Sequence, residues 1–448
     1  MWERFSYYGM RGLLKLYMVN YLFVASRQLL QGGSDKVAGN PADVLGWGWI
    51  QSLLPGDVHA QSSVIYGWYT GLVYLTPLLG GLIADRYWGQ RKTVVFGGLL
   101  MALGHFVMAF ENWFFLALLL LILGNGAFKP NISTQVGNLY EADDPRRDGA
   151  FTIFYMGINL GAFICNLVCG TLAAVFGWHY GFAAAGIGMV LGLLIYMGGQ
   201  RFLAPDLKMA TQSVASAPGH PSSVSEHQPQ KISSEEWQRI GALFVLCMLN
   251  IVFWAVYEQQ GNTMQSWADE NTIWPTIFGF TIPSTWFQSF NPFFIFIFAP
   301  LLDMFWLKQA KTGKEPSSVA KMAIGCAIVG LSFIVMAVGA VVVGADKGSL
   351  LWLVVCTLLL TVGELYLSPI GLSLVTKVSP ARMVSMMMGM WFLSSFFGNI
   401  LSGYIGALYT MMPKEAFFGL LTLLGLAAGA AIMLMVKPLK KSMGAHAI

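Results

Sequence analysis

The sequence predicts an all-α membrane protein in which twelve transmembrane helices form two bundles of six. Charged residues make up only 11% of the 448 residues and apolar residues make up 56%. Soluble domains carry about 25% charged residues. Apolar runs of about twenty residues, the length that spans a bilayer, recur along the whole chain. One long polar stretch, residues 204–236, separates six of these runs from the other six.

The predicted spans follow one another with mostly short loops between them, and residues 26–61 form the one long outer loop. Eighteen Lys and Arg residues lie on the loops and tails of one side, and four lie on the opposite side. Because basic loops remain in the cytoplasm, we expect both termini to be cytoplasmic. The spans are expected near residues 1–25, 62–84, 93–110, 113–139, 149–175, 180–200, 239–260, 282–306, 319–343, 350–375, 384–411 and 414–436.

The polar stretch 204–236 sets the predicted domain organisation. It is rich in Ser, Pro, Gln and His, and we interpret it as a flexible cytoplasmic linker. It ends in Ser233-x-x-Glu236, a spacing typical of a helix start. Two related halves predict a site between them near the membrane midplane. The predicted domains are an N-terminal bundle (1–203), the linker (204–236), a C-terminal bundle (237–437) and a cytoplasmic tail (438–448).

The first span carries more charge than a lipid-facing helix tolerates. Arg4, Tyr8, Arg11 and Lys15 follow one another along a single face at 3.6 residues per turn, and Glu3 lies beside that face. A charge at mid-bilayer costs at least about 2.5–3.5 kcal/mol, so this face must meet protein or water. We therefore expect the first span to line the interior.

Few other ionisable groups lie within the spans. Lys129 is in the fourth, Glu258 in the seventh and Glu364 in the tenth. Ion pairs that lock helices together would explain one or two of these groups. Such pairs do not explain why the cations lie mainly in the first half and carboxylates lie in the second. A dipolar substrate with one carboxylate and one ammonium explains that arrangement better. Polar edges in otherwise apolar surroundings come from Tyr74, Asn159, Trp254, Asn291 and Trp391.

Other protein classes find little support in the sequence. The net charge of +4 is small and the basic residues are scattered, which argues against nucleic-acid binding. The five cysteines lie inside apolar runs without metal-ligand spacing, so we expect packing residues and no metal site. We find no nucleophile elbow and no cofactor motif, so neither an enzyme nor a cofactor is expected.

The loop after the second span reads GGLIADRYWGQRKT and holds Asp85, Arg86 and Arg91. An acid followed by glycine and basic residues in this position resembles the gating loop of the major facilitator superfamily. The resemblance implies that these charges help to hold one access state together.

Four further segments resemble signatures of the proton-dependent oligopeptide transporter (POT) family. They are ERFSYYGMR (3–11), FKPNIS (128–133), FYMGINLGAF (154–163) and GELYLSPIGLSLVTKVSP (363–380). The resemblance implies a major facilitator fold and proton-coupled import of di- and tripeptides with little side-chain selectivity. Protons would be the coupling ion, and a bacterial inner membrane is the expected location. Many bacterial members insert two helices between the halves, which the polar stretch 204–236 excludes here.

The resemblance also implies roles for matching residues. Glu258 would pair with Arg11 and close the outer gate, and Glu3 and Arg4 would pair with Lys129. Implied for proton coupling are Glu3, Arg4, Lys129 and Glu258. The carboxylate end and backbone of the peptide would meet Tyr8, Arg11, Lys129 and Asn159, and its amino end Asn291 and Glu364. The implied pocket walls are Tyr7, Tyr74, Trp254, Trp391 and Ser395.

The chain departs from the family pattern in three places. The family motif has another glutamate three residues before Glu3, outside this sequence, and full proton coupling is expected to need it. Gly67 stands where animal members carry a histidine, and we interpret His105 as a packed core histidine. Proton coupling is therefore expected to depend on carboxylates. Lys15 is not part of the pattern, and both outward snorkelling and a place in the outer vestibule stay open.

Two other functions remain open from the sequence. One is a related symporter for another small anionic or drug-like solute. The other is a receptor that binds peptides without transporting them.

Overall fold

A computed structural model describes residues 1–23, 41–54, 56–140, 144, 146–203, 233–380 and 383–443. In this part of the chain, twelve α-helices have sixteen residues or more. Eight helical segments among them are long and apolar enough to cross a membrane. The twelve helices are α1 (Trp2–Tyr17), α2 (Val58–Ile83), α3 (Gln90–Val107), α4 (Phe114–Gly137), α5 (Arg146–Phe176), α6 (Trp178–Gly199), α7 (Ser234–Tyr257), α8 (Phe290–Lys311), α9 (Ser318–Val343), α10 (Leu351–Val378), α11 (Val384–Ala407) and α12 (Lys414–Met443).

Short elements occupy several of the connections. A π-helical turn, Met18–Leu22, extends α1. The other helical pieces are Pro41–Asp43, Trp47–Leu53, Ala84–Trp88, Glu111–Trp113, Gln200–Phe202, Glu258–Gln260, Thr263–Glu270, Ser284–Ser289 and Leu408–Thr410. Two small sheets also form: Thr272–Ile273 pairs in parallel with Gly348–Ser349, and Thr276–Ile277 pairs antiparallel with Phe280–Thr281.

Local hydrogen bonds decide where some helices begin, and they correct the predicted bounds. α2 begins at Val58, inside the predicted loop 26–61, because the Asp57 side chain caps it by accepting from the backbone N–H of Ala60 at 3.0 Å. The predicted capping box before α7 is confirmed, since Ser233 and Glu236 each accept from the other's backbone N–H.

The eighth and twelfth spans also differ from their predicted bounds. α8 begins at Phe290 rather than near residue 282, because the preceding turn Ser284–Ser289 is a 3₁₀-helix. α12 continues to Met443, into the predicted tail. Most of the predicted linker, residues 204–232, lies outside the described residues.

The helices pack mainly on helices of their own half. In the first half α1 lies against α5 and α6, and α4 lies against α2 and α3. In the second half α9 packs on α10 and α12, and α7 packs on α11 and α12. The halves meet chiefly where α2 packs on α11 and where α5 lies beside α8. α1 also contacts Thr263–Glu270 and Ser284–Ser289, so part of its surface faces the second half.

Two packing predictions are confirmed. The five cysteines are buried. His105 is 1% exposed and shares a hydrogen bond of 2.6 Å with the hydroxyl of Ser6, as expected for a packed core histidine.

Glycines let α2 and α11 approach closely. A Cβ on Gly67 would lie 2.7 Å from the carbonyl oxygen of Asn399 and 2.7 Å from the Cα of Gly403. Real Cβ atoms do not come this close to backbone atoms, so α11 leaves no room for a side chain at position 67. The close contact explains why position 67 is a glycine. Animal members of the family that the sequence resembles carry a histidine there.

We expect Gly67→Ala to lower the melting temperature of the purified protein. Overpacking of a close contact costs about 1–3 kcal/mol, here by separating α2 from α11. Gly81→Ala is the matched control, because it lies on the same helix and a Cβ there meets no atom within 4 Å. Thermal unfolding in detergent compares the two variants, and equal shifts would contradict the close contact.

Candidate functional site

A cavity of about 220 Å³ lies between the two halves. Its wall comes from α1, α2 and α5 of the first half and from α7, α8 and α10 of the second. Eight of the predicted site residues line it: Tyr8, Arg11, Tyr74, Asn159, Trp254, Glu258, Asn291 and Glu364. The structure thus brings charged, amide and aromatic side chains from six predicted spans together around one cavity.

The carboxylate of Glu364, on α10, forms the acidic part of the cavity. Its Oε2 accepts hydrogen bonds from the hydroxyl of Tyr257 at 2.6 Å and from Nδ2 of Asn291 at 2.9 Å. These donors come from the end of α7 and the first turn of α8. Both bonds reach the same oxygen, so they fix the orientation of the carboxylate and leave Oε1 for another donor.

The basic part of the cavity lies around Arg11. Its guanidinium Nη2 donates to Oε2 of Glu258, and its Nε donates to the hydroxyl of Tyr66 at 2.8 Å. Glu258 is 2% exposed and follows the last residue of α7, so this ion pair joins the two halves. The contact that the resemblance implied between Arg11 and Glu258 is present. A charge buried this deeply needs its partner.

A second group of charges lies where α1 meets α4. Glu3 pairs with Arg4 at 3.2 Å and accepts a long hydrogen bond of 3.4 Å from Nδ2 of Asn125. The ammonium of Lys129, one turn beyond Asn125, lies 4.5 Å from the ring centre of Tyr74. Within the described residues, no carboxylate oxygen lies within 4 Å of that ammonium, so the implied pair with Glu3 is not formed. Its positive charge rests on an aromatic face of the cavity wall.

Three predicted wall residues lie outside the cavity. Tyr7, Trp391 and Ser395 are buried, with exposed fractions of 3–4%. Tyr7 packs edge-on against Tyr8 with ring centres 5.1 Å apart. Trp391 packs against Gly371 of α10. These residues were assigned from the resemblance, and helical packing instead places them behind the wall.

The predicted gating loop follows α2. Asp85 and Arg86 are exposed in the turn Ala84–Trp88. Arg91 is the second residue of α3, and it donates to the carbonyl oxygen of Leu203, at the end of the first half. This contact lies within one half.

The cavity is closed at the predicted outer end. Besides the Arg11–Glu258 pair, polar contacts join the halves there: Asn20–Asp269 at 2.8 Å, His59–Glu270 at 3.2 Å, Asp57–Thr410 at 3.0 Å, Thr171–Trp286 at 3.0 Å and Phe163–Ser289 at 2.7 Å. At the predicted cytoplasmic end, no hydrogen bond or ion pair joins the halves between described residues. The structure therefore represents a state that is closed at the predicted outer end.

Lys15 contributes to this seal from within the first half. It is 1% exposed, and its Nζ donates to the carbonyl oxygen of His59 at 2.8 Å and to Oγ of Ser63 at 2.7 Å. Outward snorkelling is therefore wrong, because α2 covers the side chain and supplies its acceptors. The ammonium ties α1 to the first turns of α2, next to the contact between His59 and Glu270.

Comparison with known proteins identifies the group to which this sequence and fold belong. The profile of the POT family (PTR2) matches residues 91–216 and 209–422. The chain belongs to the POT family.

Curated members of the POT family align over nearly the whole chain. The peptide transporter YePEPT of Yersinia enterocolitica is 33% identical over 99% of this chain and 93% of its own length. A di-/tripeptide transporter of Lactococcus lactis is 32% identical over 99% and 94%. The family thus consists of transporters rather than enzymes.

Solved POT structures share the fold. A crystal structure of a mutant peptide transporter POT in complex with alafosfalin gives a TM-score of 0.81 at 32% identity, over 99% of this chain and 93% of that chain. A POT family transporter in complex with 5-aminolevulinic acid gives 0.80 at 27% identity, over 98% and 94%.

Sequence reasoning missed part of this POT protein's cavity. Tyr257 precedes Glu258 directly, and its position beside a membrane carboxylate was the signal that could have found it. The contacts of Tyr66 with Arg11 and of His59 with Glu270 join residues 55 or more positions apart. Tertiary packing brings such pairs together, within the first half for Tyr66 and Arg11 and between the halves for His59 and Glu270.

Proposed function

We propose that this protein imports di- and tripeptides together with protons by alternating access. The observation that carries the proposal is the shared cavity of Arg11, from the first half, and Glu364, from the second. Every unmodified short peptide has a carboxylate and an ammonium at its ends. Charges of opposite sign fixed on two halves bind those ends and leave the side chains to the remaining wall.

All twelve helices cross the membrane in this proposal. Residues 1–203 and 237–437 form the two moving bundles, and 204–236 connect them in the cytoplasm. Both termini are cytoplasmic and the protein resides in the cell membrane. The bias of basic residues toward one side and the packing of most helices on partners in their own half support this topology.

The peptide lies with its amino end at Glu364 and Asn291 and its carboxylate end toward Arg11. Tyr8, Lys129 and Asn159 add contacts at the carboxylate end and along the backbone. Tyr74 and Trp254 form the wall, and Tyr7, Trp391 and Ser395 support it from behind.

Coupling follows from the pairing of buried charges. Glu258 neutralises Arg11 in the sealed state. When Glu258 takes up a proton, Arg11 loses its partner, and the peptide carboxylate replaces it. Proton and peptide together keep every buried charge paired, whereas either one alone leaves a charge without a partner, which is costly. Glu3 and Arg4 assist from the α1–α4 side.

The gates lie at opposite ends. Arg11–Glu258, Asn20–Asp269 and His59–Glu270 close the outer end and part when it opens. Asp85, Arg86 and Arg91, at the other end, stabilise the state that is closed to the cytoplasm.

Uptake into proteoliposomes tests the proposal. With an imposed pH gradient, acid outside, labelled dialanine is expected to accumulate above its external concentration, and accumulation is expected to stop when a protonophore removes the gradient. Unlabelled dialanine is expected to compete and free alanine is not. Binding without accumulation would favour a receptor.

A second candidate is a symporter for another small solute with a carboxylate and an amine. The neighbour solved with 5-aminolevulinic acid favours it, because that molecule has both groups without being a peptide. Competition by 5-aminolevulinic acid but not by dialanine would decide for this alternative.

A further inference from the structure

A small niche opens from the cavity next to Arg11. Gly12, Asn166 and Gln288 all line the cavity, and they come from α1, α5 and the 3₁₀-helix before α8. A Cβ on Gly12 would collide with the Asn166 amide and would lie 3.6 Å from Cγ of Gln288. The glycine thus forms the floor of the niche and the two amide side chains form its sides.

Backbone carbonyls fix the orientation of the Gln288 amide. Its Nε2 donates to the carbonyl oxygen of Gln260 at 3.0 Å and to Oε1 of Gln265 at 2.8 Å. Nε2 of Gln265 in turn donates to the carbonyl oxygen of Ser284 at 3.2 Å. Because a backbone carbonyl only accepts, neither amide can be turned over without losing a bond. Both N–H groups of Gln288 are used, and Oε1 is the polar atom that remains.

The Asn166 amide is fixed in the same way. Its Nδ2 donates to the carbonyl oxygen of Ala162, one turn earlier on α5, at 3.1 Å. Its Oδ1 therefore faces Gly12, in agreement with the near collision described above. Among the described residues, no hydrogen bond uses Oδ1 of Asn166 or Oε1 of Gln288. The two sides of the niche present two acceptors.

We propose that this niche is a side-chain subsite that selects peptides whose C-terminal residue carries a hydrogen-bond donor, such as a hydroxyl or an amide N–H. The inference rests on the proposed function, because it takes Arg11 as the group that binds the carboxylate. A Cβ on Gly261 would lie 3.3 Å from Nη2 of Arg11, and the carbonyl oxygen of the preceding Gln260 accepts from Gln288. The side chain nearest the bound carboxylate therefore lies at the niche. An apolar side chain there leaves both amide oxygens without a donor, which is unfavourable in a buried site.

The test compares two peptides of nearly the same shape. Ala-Thr and Ala-Val differ by a hydroxyl in place of a methyl group. In competition with labelled dialanine, Ala-Thr is expected to inhibit at about three- to tenfold lower concentration, the effect of one net hydrogen bond. The reversed peptides Thr-Ala and Val-Ala are expected to differ less. Equal inhibition by Ala-Thr and Ala-Val, or stronger inhibition by Ala-Val, would overturn the proposal without any variant.

Variants locate the effect. Gln288→Met keeps the length of the side chain and removes the acceptor, so the ratio of the inhibitory concentrations of Ala-Val and Ala-Thr is expected to shrink toward one. Because it is a ratio, any change in uptake common to both peptides cancels. Asn166→Leu removes the other acceptor and is the second test if Gln288→Met folds poorly. Gln61→Met is the matched control, since Gln61 donates to the carbonyl oxygen of Gly56 and does not line the cavity. An unchanged preference in both niche variants would overturn the assignment.

The result also separates this inference from the proposed function. If no dipeptide competes, peptide import itself fails. If dipeptides compete but show no difference at the C-terminal residue, only the niche fails.

Discussion

Glu258→Gln is expected to abolish accumulation driven by a pH gradient while exchange of peptide between the two sides continues. Glutamine keeps the shape of the side chain and can still accept from Arg11, but it cannot take up a proton. One pH unit is worth about 1.36 kcal/mol, or tenfold in concentration, for each coupled proton. The variant is therefore expected to lose an accumulation of up to about tenfold per pH unit. Counterflow of labelled dialanine without a gradient measures the exchange that remains.

Glu111→Gln is the matched control for that experiment. Glu111 is another carboxylate at the predicted outer end, and it accepts from the hydroxyl of Tyr21 at 2.6 Å within the first half. It does not join the halves, so driven uptake is expected to stay near the wild-type level. If Glu258→Gln also keeps normal driven uptake and normal counterflow, the coupling role of Glu258 is wrong.

Lys129→Ala is expected to stop driven uptake. Among the described residues its ammonium has an aromatic ring at 4.5 Å and no carboxylate within 4 Å, so its charge is available to the peptide carboxylate or to Glu3 during the cycle. Alanine removes that charge from behind the ring of Tyr74, which lines the cavity. Losing one partner of a buried charge pair costs about 2–5 kcal/mol, which corresponds to at least about thirtyfold in affinity. Initial uptake rates over a range of dialanine concentrations measure the loss.

Lys321→Ala provides a close comparison in the second half. Lys321 is also buried, and its ammonium lies 4.4 Å from the ring centre of Trp306 and pairs with Glu315. Trp306 does not line the cavity, whereas Tyr74, the ring beside Lys129, does. Removal of Lys321 is therefore expected to lower stability without removing driven uptake. Accumulation at the wild-type level in Lys129→Ala would contradict the role given to Lys129.

The charges within the spans predicted much of the site, because a membrane makes each of them expensive. Arg11, Glu258 and Glu364 were found in this way, and they line one cavity. The same reasoning could not place Lys15. Periodicity put it on the charged face of α1, but only the position of α2 supplies the two acceptors that bury it.

Contacts between residues distant in sequence, and one local hydrogen bond, explain the rest of what sequence reasoning missed. The amide of Gln288 is oriented by Gln260 and Gln265, and the partner across the niche, Asn166, lies more than a hundred residues earlier. The start of α2 depended on one capping bond of Asp57. Neither the niche nor the start of α2 shows up as a periodic pattern in the sequence. The niche depends on tertiary packing, and the helix start depends on a single side-chain hydrogen bond.

The central claim is that the two ends of a short peptide bind to opposite charges on the two halves of the protein. Affinities of dialanine and N-acetyl-dialanine for the wild type and for Glu364→Gln test it most directly. Acetylation removes the ammonium, so in the wild type it is expected to weaken binding at least about thirtyfold, or about 2 kcal/mol, by leaving the buried carboxylate without its partner. In Glu364→Gln the same acetylation is expected to matter little, because the carboxylate is already absent. An equal acetylation penalty in both proteins would contradict the claim.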